Sequence, residues 1–347
     1  MMGPVAKSFG WGVLSTGRIA GTFTRGLAES RTGVAMAVGS RLQEAANKFG
    51  TEHGIARRHG SYEALLADPQ VQAVYIATPH PQHATWAIKA AEAGKHILCE
   101  KPLAVNAAQA RTIVDAARRH KVLLMEAFMY RCSPQTARLV GVIRSGAIGE
   151  VRLVQAAFGF RAGWDPASRL LNRALGGGGI LDVGCYPVSL ARLVAGAALK
   201  LPFADPLEVA GAGHVGESGV DESAVATLKF AGGIVAEVAT GVRVNLDNVA
   251  RIYGTEGWIH LPMPWGLKSA GTYSFTVHKG GGSEEVTGPV ERGNYAYEAD
   301  VVADAVARGA VEAPSPAMSW NDSLGNLATM DRWRAAVGVT HPEDTAS

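Results

Sequence analysis

Residues 9–20 read Phe-Gly-Trp-Gly-Val-Leu-Ser-Thr-Gly-Arg-Ile-Ala, an apolar run that stops on a polar turn and then takes up helical spacing. Phe9 to Ser15 is uncharged and short, as a strand buried on both faces must be. Gly17 to Ser30 continues as a helix. A dinucleotide fold places G-x-G-x-x-G/A at such a turn. Its glycines let a pyrophosphate approach backbone N–H groups at a helix N-terminus. Here Gly17 and Ala20 hold the second and third positions, and Ser15 stands where the first glycine would be. The fingerprint is degenerate by itself, and its place at the opening of the first strand–helix unit gives it weight. Ser15, Thr16, Gly17, Arg18 and Ile19 are therefore the expected pyrophosphate contacts.

Working outward, apolar strands continue to alternate with helices. Strands are expected at 33–40, 71–77, 96–99 and 122–126. Helices are expected at 41–49, 62–67, 82–93 and 106–120, with Asn106 as an N-cap. This alternation implies right-handed βαβ units and a parallel sheet covered on both faces, a Rossmann-like α/β domain over residues 1–130. The second strand ends in Gly39-Ser40-Arg41. A chain that binds NAD usually ends it with an acid, which would repel a 2′-phosphate. Ser40 and Arg41 can instead bind that phosphate, so NADP is expected rather than NAD.

The pattern changes after about residue 130. Residues 150–160 form a long strand candidate. Three further strand pairs flank Gly-rich turns at 231–233, 254–257 and 280–282. Residues 131–318 thus read as an α+β domain with a large, mainly antiparallel open sheet. Helices near 179–193 and 295–308 are expected to cover one face of that sheet. A last helix, about 319–337, is expected to pack back on the first domain.

The totals agree with two domains. The chain has 347 residues, 47% of them hydrophobic and 18% charged, with a formal net charge of +2. That charge gives no reason to expect a nucleic-acid partner. The start, MMGPVAKSFG, has no apolar leader core, and no uncharged run suggests a membrane span. Cys99, Cys132 and Cys185 lie in apolar stretches, so reduced, buried thiols and a cytoplasmic setting are expected. No His, Cys and Asp cluster has metal-ligand spacing, and hydride transfer needs no metal. Glycine is in excess, 42 residues or about 12% against an average near 7%. Many of these sit in the hairpin turns and in an uninterrupted run at 176–179.

In a parallel sheet the site lies at the carboxyl ends of the strands. Two such ends are polar: Thr78-Pro79-His80-Pro81-Gln82-His83 and Glu100-Lys101-Pro102. The stretch ATPHPQHATWAIKAAEAGKHILCEKPLAVN around them resembles the glucose–fructose oxidoreductase/inositol dehydrogenase (Gfo/Idh/MocA) family, whose signature is Glu-Lys-Pro after a strand. HPQH at 80–83, EKP at 100–102, EAFMYR at 126–131 and GGILDVGCYP at 178–187 resemble one branch most closely. That branch holds dimeric dihydrodiol dehydrogenases and NADP-dependent D-xylose (aldose) dehydrogenases.

The resemblance assigns Lys101 to catalysis and implies that the Lys101–Pro102 bond is often cis. A lysine shielded from water beside a cationic nicotinamide has its pKa lowered, so it exchanges a proton near neutral pH. The resemblance makes Tyr186 the proton-exchanging partner of Lys101, where other branches carry His. Asp182, four residues before Tyr186 on the same helix face, is expected to bind a substrate hydroxyl or orient Lys101. Thr78, Pro79, His80, His83, Glu100 and Lys101 are expected along the cofactor. Tyr130 and Arg131 at the domain junction, with Arg161 and Trp164, are expected toward substrate. The implied activity is NADP-dependent hydride transfer at a sugar-like CH–OH group, an aldose such as D-xylose first. A trans-dihydrodiol dehydrogenase or keto-sugar reductase is the alternative, and a non-catalytic NADP-binding regulator the alternative of another class. The family also implies a homodimer, or a tetramer, built through the second sheet.

Overall fold

The structure, a computed structural model, describes residues 8–345. The opening segment in which no leader core was expected, Met1 to Lys7, lies outside the described residues. The first sheet is assembled from β1 (Phe9–Leu14), β2 (Gly33–Gly39), β3 (Arg57–His59), β4 (Ala73–Ile76), β5 (His96–Glu100) and β6 (Leu124–Ala127). Every pairing is parallel and the order is β3-β2-β1-β4-β5-β6. The order reverses between β1 and β4, so a crevice opens at their carboxyl ends, where both polar loops emerge. The helices between these strands are α1 (Arg18–Glu29), α2 (Gln43–Glu52), α3 (Tyr62–Leu66), α4 (His83–Glu92) and α5 (Ala107–His120). Asn106 caps α5 by accepting from the Gln109 amide at 2.9 Å. The short β3, Arg-Arg-His, was not expected: an edge strand of three polar residues has no apolar alternation to show.

After α6 (Pro134–Arg144) the chain enters the second sheet with β7 (Val151–Gly159). A π-helical turn (Ile180–Gly184) leads into α7 (Cys185–Ala198). Then come β8 (Glu208–Val215), β9 (Asp221–Lys229), β10 (Val235–Gly241), β11 (Ala250–Gly254), β12 (Gly257–Leu261), β13 (Gly271–Lys279) and β14 (Gly282–Val290). The order is β14-β13-β12-β11-β7-β10-β9-β8. The three expected hairpins are present, and only the β7–β10 pair is parallel. Two elements of this half were not expected. Helix α6 carries a legible start, Ser133 accepting from the Thr136 amide with Pro134 at the first turn. Strand β8, Glu-Val-Ala-Gly-Ala-Gly-His-Val, is an edge strand of mostly small residues.

Two helices close the structure, and one departs from the expectation. Helix α8 (Asn294–Ala307) does not cover the second sheet. Its Ala299, Val302 and Ala303 pack with Trp11, Phe23 and Tyr75 of the first domain. Asp300 fixes it there by accepting from the Ser30 hydroxyl at 2.6 Å and the Arg31 and Thr32 amides at 3.0 and 3.1 Å. Helix α9 (Trp320–Val337) lies against both halves. At one end Trp320 donates its indole N–H to Leu124 of β6, and at the other Trp333 donates to Val225 of β9. The segment Arg173–Ala198 is apolar enough to cross a membrane, with mean hydropathy 1.3, but its apolar window is wholly buried inside the protein.

Candidate active site

The glycine run sets up the site. Gly178 has φ +111°, and a Cβ there would lie 2.3 Å from Oδ1 of buried Asp221. A Cβ on Gly177 would lie 2.8 Å from the Leu170 carbonyl oxygen. Only glycine fits either place. The close approach lets Asp221 accept from the Ile180 amide at 2.6 Å, which fixes the start of the π-helical turn. Burial pushes the Asp221 carboxyl up to about 7 against that hydrogen bond.

The π-helical turn presents Asp182 to the Glu-Lys-Pro loop. Lys101, followed by a cis bond to Pro102, donates to the Asp182 carbonyl oxygen at 2.6 Å. Its Nζ lies 3.6 Å from Oδ1 of the same residue and 5.2 Å from the Tyr186 ring centroid, over the ring face. The structure thus brings Lys101, Asp182 and Tyr186 together. Arg169, which the sequence did not single out, also donates to Oδ1 of Asp182, at 2.8 Å. Burial would raise the Asp182 carboxyl, but Lys101 and Arg169 hold it down at about 2. Lys101 departs from the expectation of a lowered pKa. Desolvation lowers it, but the Asp182 carboxylate, with Glu100 behind it, outweighs this, and the ammonium is held above the ordinary lysine range. Tyr186 is pushed well above its ordinary value by burial, so its phenol stays protonated. Among the described residues its hydroxyl donates only to the soft Met129 sulfur, at 3.4 Å, a weak acceptor that a better partner would displace.

Aromatic side chains wall this group. Phe158 of β7 and Trp265 stack at 5.3 Å between centroids with planes 10° apart. Tyr186 meets both edge-on, and Tyr130 meets Trp265 edge-on at 5.6 Å. Among the described residues the buried Trp265 indole N–H has no hydrogen-bond partner. Neither Phe158 nor Trp265 was expected. Phe158 reads as ordinary strand alternation, and Trp265 lies in a loop with no motif.

Several expected contacts are placed elsewhere. Arg131 does not reach toward substrate: its guanidinium is buried on Asp322 at 2.5 Å, the Pro316 carbonyl and the Ser189 hydroxyl. Tyr130 is fully buried, its hydroxyl 2.9 Å from that of Ser189, and burial raises it to about 12. His83 does not line a ribose. It is fully buried, and its ring nitrogens each lie 2.9 Å from a backbone carbonyl, of Pro102 and of Thr78. Its role is to join the two polar loops. His80 ties the first loop to the glycine run through Gly176 at 3.1 Å, and burial holds it neutral. Glu100 accepts from the Tyr75 hydroxyl and, at 3.2 Å, from the Lys101 amide. Trp164 is half exposed, with Arg243 over its ring, and Arg161 pairs with Arg243 in an isolated bridge. Both lie on the outer part of the loop that carries Arg169. Cys99 and Cys185 are buried, but Cys132 is only half-buried.

The residues present fit a dinucleotide. Ser15, in place of the first glycine, adopts φ +102°, the conformation the tight turn requires. Helix α1 opens without a side-chain cap and without an acid in its first turn. Its first N–H groups would therefore meet an anion uncontested. The Thr78 hydroxyl, at the carboxyl end of β4, is buried with no hydrogen-bond partner among the described residues. Arg41 is exposed at the end of β2.

Comparison with known proteins gives consistent results. Residues 9–128 match a family described as "Oxidoreductase family, NAD-binding Rossmann fold", and residues 136–260 match "GFO/IDH/MocA C-terminal domain". The chain is 33% identical to a trans-1,2-dihydrobenzene-1,2-diol dehydrogenase of Mus musculus and 34% identical to the one of Homo sapiens. Each alignment covers 96% of this chain and 98% of the relative. A 3-ketoreductase from Actinomadura kijaniata in complex with NADP and TDP-benzene superimposes with a TM-score of 0.83 at 26% identity. An aldose–aldose oxidoreductase from Caulobacter crescentus superimposes with 0.84 at 25%. Each superposition covers 95% of this chain and 98% of the other.

Proposed function

The chain belongs to the Gfo/Idh/MocA family of NAD(P)-dependent oxidoreductases, and from that premise we propose that it uses NADP to move hydride at a ring CH–OH group. The substrate proposed first is an aldopyranose such as D-xylose, oxidised at C1. The observation that supports this reading is the convergence of Lys101 Nζ, the Asp182 carboxylate and the Tyr186 ring at the aromatic wall. When bound, NADP supplies or takes up hydride at the nicotinamide.

The chain's own residues handle everything else. The stacked Phe158–Trp265 pair holds the apolar face of a ring and excludes water. Asp182, ionised, accepts from a substrate hydroxyl. The Tyr186 phenol and the Lys101 ammonium share the proton that leaves or joins the reacting oxygen. With both protonated, the site stands in its acid form, ready to protonate a carbonyl that is being reduced. Oxidation runs once Lys101 releases its proton. Position and proton exchange of this kind are worth about 10²–10⁴-fold.

A second reading, a cyclic trans-diol as substrate, is favoured by the aromatic walls and by the names of the closely similar relatives. The reading of NADP over NAD rests on Arg41 and on the lack of an acid at the end of β2. A homodimer through the second sheet is supported by Trp258, which stacks on His278 at 3.9 Å and on Tyr253 at 5.7 Å on the face opposite the core. A sedimentation profile of a monomer would remove that part. Free thiols support a cytoplasmic setting.

The experiment is a panel of aldoses, cyclic trans-diols and keto-sugars followed by NADPH absorbance. Turnover of at least one ring carbinol is expected. NADP binding with no turnover across the panel would favour a regulator instead.

A further inference from the structure

Two cations address one oxygen at the base of the site. Arg169 Nη1 sits 2.8 Å from Oδ1 of Asp182, and Lys101 Nζ sits 3.6 Å from the same atom. The shorter contact has the length of a charge-assisted hydrogen bond, and the longer one does not. Lys101 spends its strong hydrogen bond on the Asp182 carbonyl oxygen instead. We propose that Arg169 is a positioning residue: by occupying Oδ1 it keeps the Asp182 carboxylate from closing on Lys101 and leaves the Lys101 amine able to exchange its proton. This rests on the reading of Lys101 as a proton-exchanging group.

The charges around Lys101 support the assignment. Glu100 faces it from its own strand, His80 and His83 from the segment opening α4, Asp182 from the π-helical turn, Cys185 and Tyr186 from α7, and Arg169 from the loop after β7. Burial holds both histidines neutral and keeps the Cys185 thiol and Tyr186 phenol protonated. Burial also raises Glu100. Asp182 is therefore the strong anion beside Lys101, and Arg169 is the cation that offsets it. A guanidinium stays charged at every pH the protein tolerates, so the offset is fixed. Arg169 is half exposed, so it can leave Asp182 without opening the core. The rest of its loop is anchored independently, by Arg173 on Thr340 and by Arg243 on the Ala162 carbonyl.

The test uses Arg169→Gln and Arg169→Lys in the full chain. The first readout needs no substrate: trace acetylation at pH 9, with Lys101 modification measured by mass against exposed Lys200 in the same molecule. In Arg169→Gln the carboxylate closes on Lys101, and the Lys101 to Lys200 ratio should fall about tenfold, equivalent to one pKa unit. Arg169→Lys should stay within about twofold of the parent. The second readout is the pH profile of kcat, whose acid limb should move to higher pH in Arg169→Gln alone. An unchanged labelling ratio in a folded Arg169→Gln that binds NADP normally would overturn the proposal. A lowered ratio with no turnover by any form would sustain it and reject the catalytic reading of the site.

Discussion

Replacing Asp322 with alanine removes the carboxylate that two buried guanidiniums share. Arg131 and Arg192 each pair with it at 2.5 Å, and all three side chains are at most 2% exposed. Arg192 keeps a second partner in Asp205, whose side chain is 60% exposed, so only part of its charge is then answered. Arg131 would keep the Pro316 and Ser189 carbonyls and the Ser189 hydroxyl, none of them charged. Removing one partner of a buried pair costs about 3–5 kcal/mol, because the remaining charge stays desolvated. With a urea m-value of about 3 kcal/mol/M, a loss of about 4 kcal/mol lowers the unfolding midpoint by about 1.3 M. The assay is equilibrium urea unfolding of Asp322→Ala beside the parent, with NADP affinity of the folded variant measured by Trp fluorescence. The expected pattern is a large loss of stability with cofactor affinity kept. A midpoint within about 0.3 M of the parent would refute the placement of Arg131 in the architecture and return it to the substrate side.

Other outcomes follow from the same geometry. Arg41→Asp should reverse the cofactor preference in parallel NADP and NAD titrations, and an unchanged ratio would remove Arg41 from the 2′-phosphate site. Trp265→Ala should raise KM for the ring substrate about three- to tenfold, since an aromatic contact is worth about 0.5–1.5 kcal/mol. An unchanged KM would mean that the stacked pair only supports the loop. Asp221 carries a pH signature. Its folded pKa, about 7, lies above the ordinary aspartate value of 3.8. The folded state therefore binds more protons between these limits, and its stability falls as pH rises through that window. Asp221→Asn escapes that loss, so its urea midpoint relative to the parent should rise between pH 5 and pH 8. A pH-independent difference would place the Asp221 carboxylate in contact with water.

Much of the first domain was legible because a parallel sheet must be apolar on both faces, and its strands therefore stand out as uncharged runs. The second domain was legible at its turns, where Gly232, Gly254 and Gly280 to Gly282 punctuate the strands. The placement of α8 was not. Asn-Tyr-Ala-Tyr-Glu-Ala-Asp-Val-Val-Ala-Asp-Ala-Val-Ala fixes an apolar helix, but not which sheet receives it, and that is decided by Asp300 reaching the Ser30–Thr32 turn. The same limit governed the site. Lys101, Asp182 and Tyr186 sit in recognisable local motifs. Arg131 closes the EAFMYR stretch and Arg169 stands outside any motif, and neither context says what the guanidinium will meet. Only the fold buries one on Asp322 and swings the other onto Asp182. His83 was misplaced because a helix-opening histidine looks the same whether its ring faces a ligand or two carbonyls.

Proton exchange at the reacting oxygen depends on Lys101, with Tyr186 sharing the proton. The direct measurement is Lys101→Met, a change that keeps the stem and removes the charge. NADP affinity by Trp fluorescence and turnover by NADPH absorbance should be read on the same preparation. Affinity within a few-fold of the parent, with kcat lower by about 10²–10⁴, is the expected result. Full turnover in Lys101→Met would contradict the account.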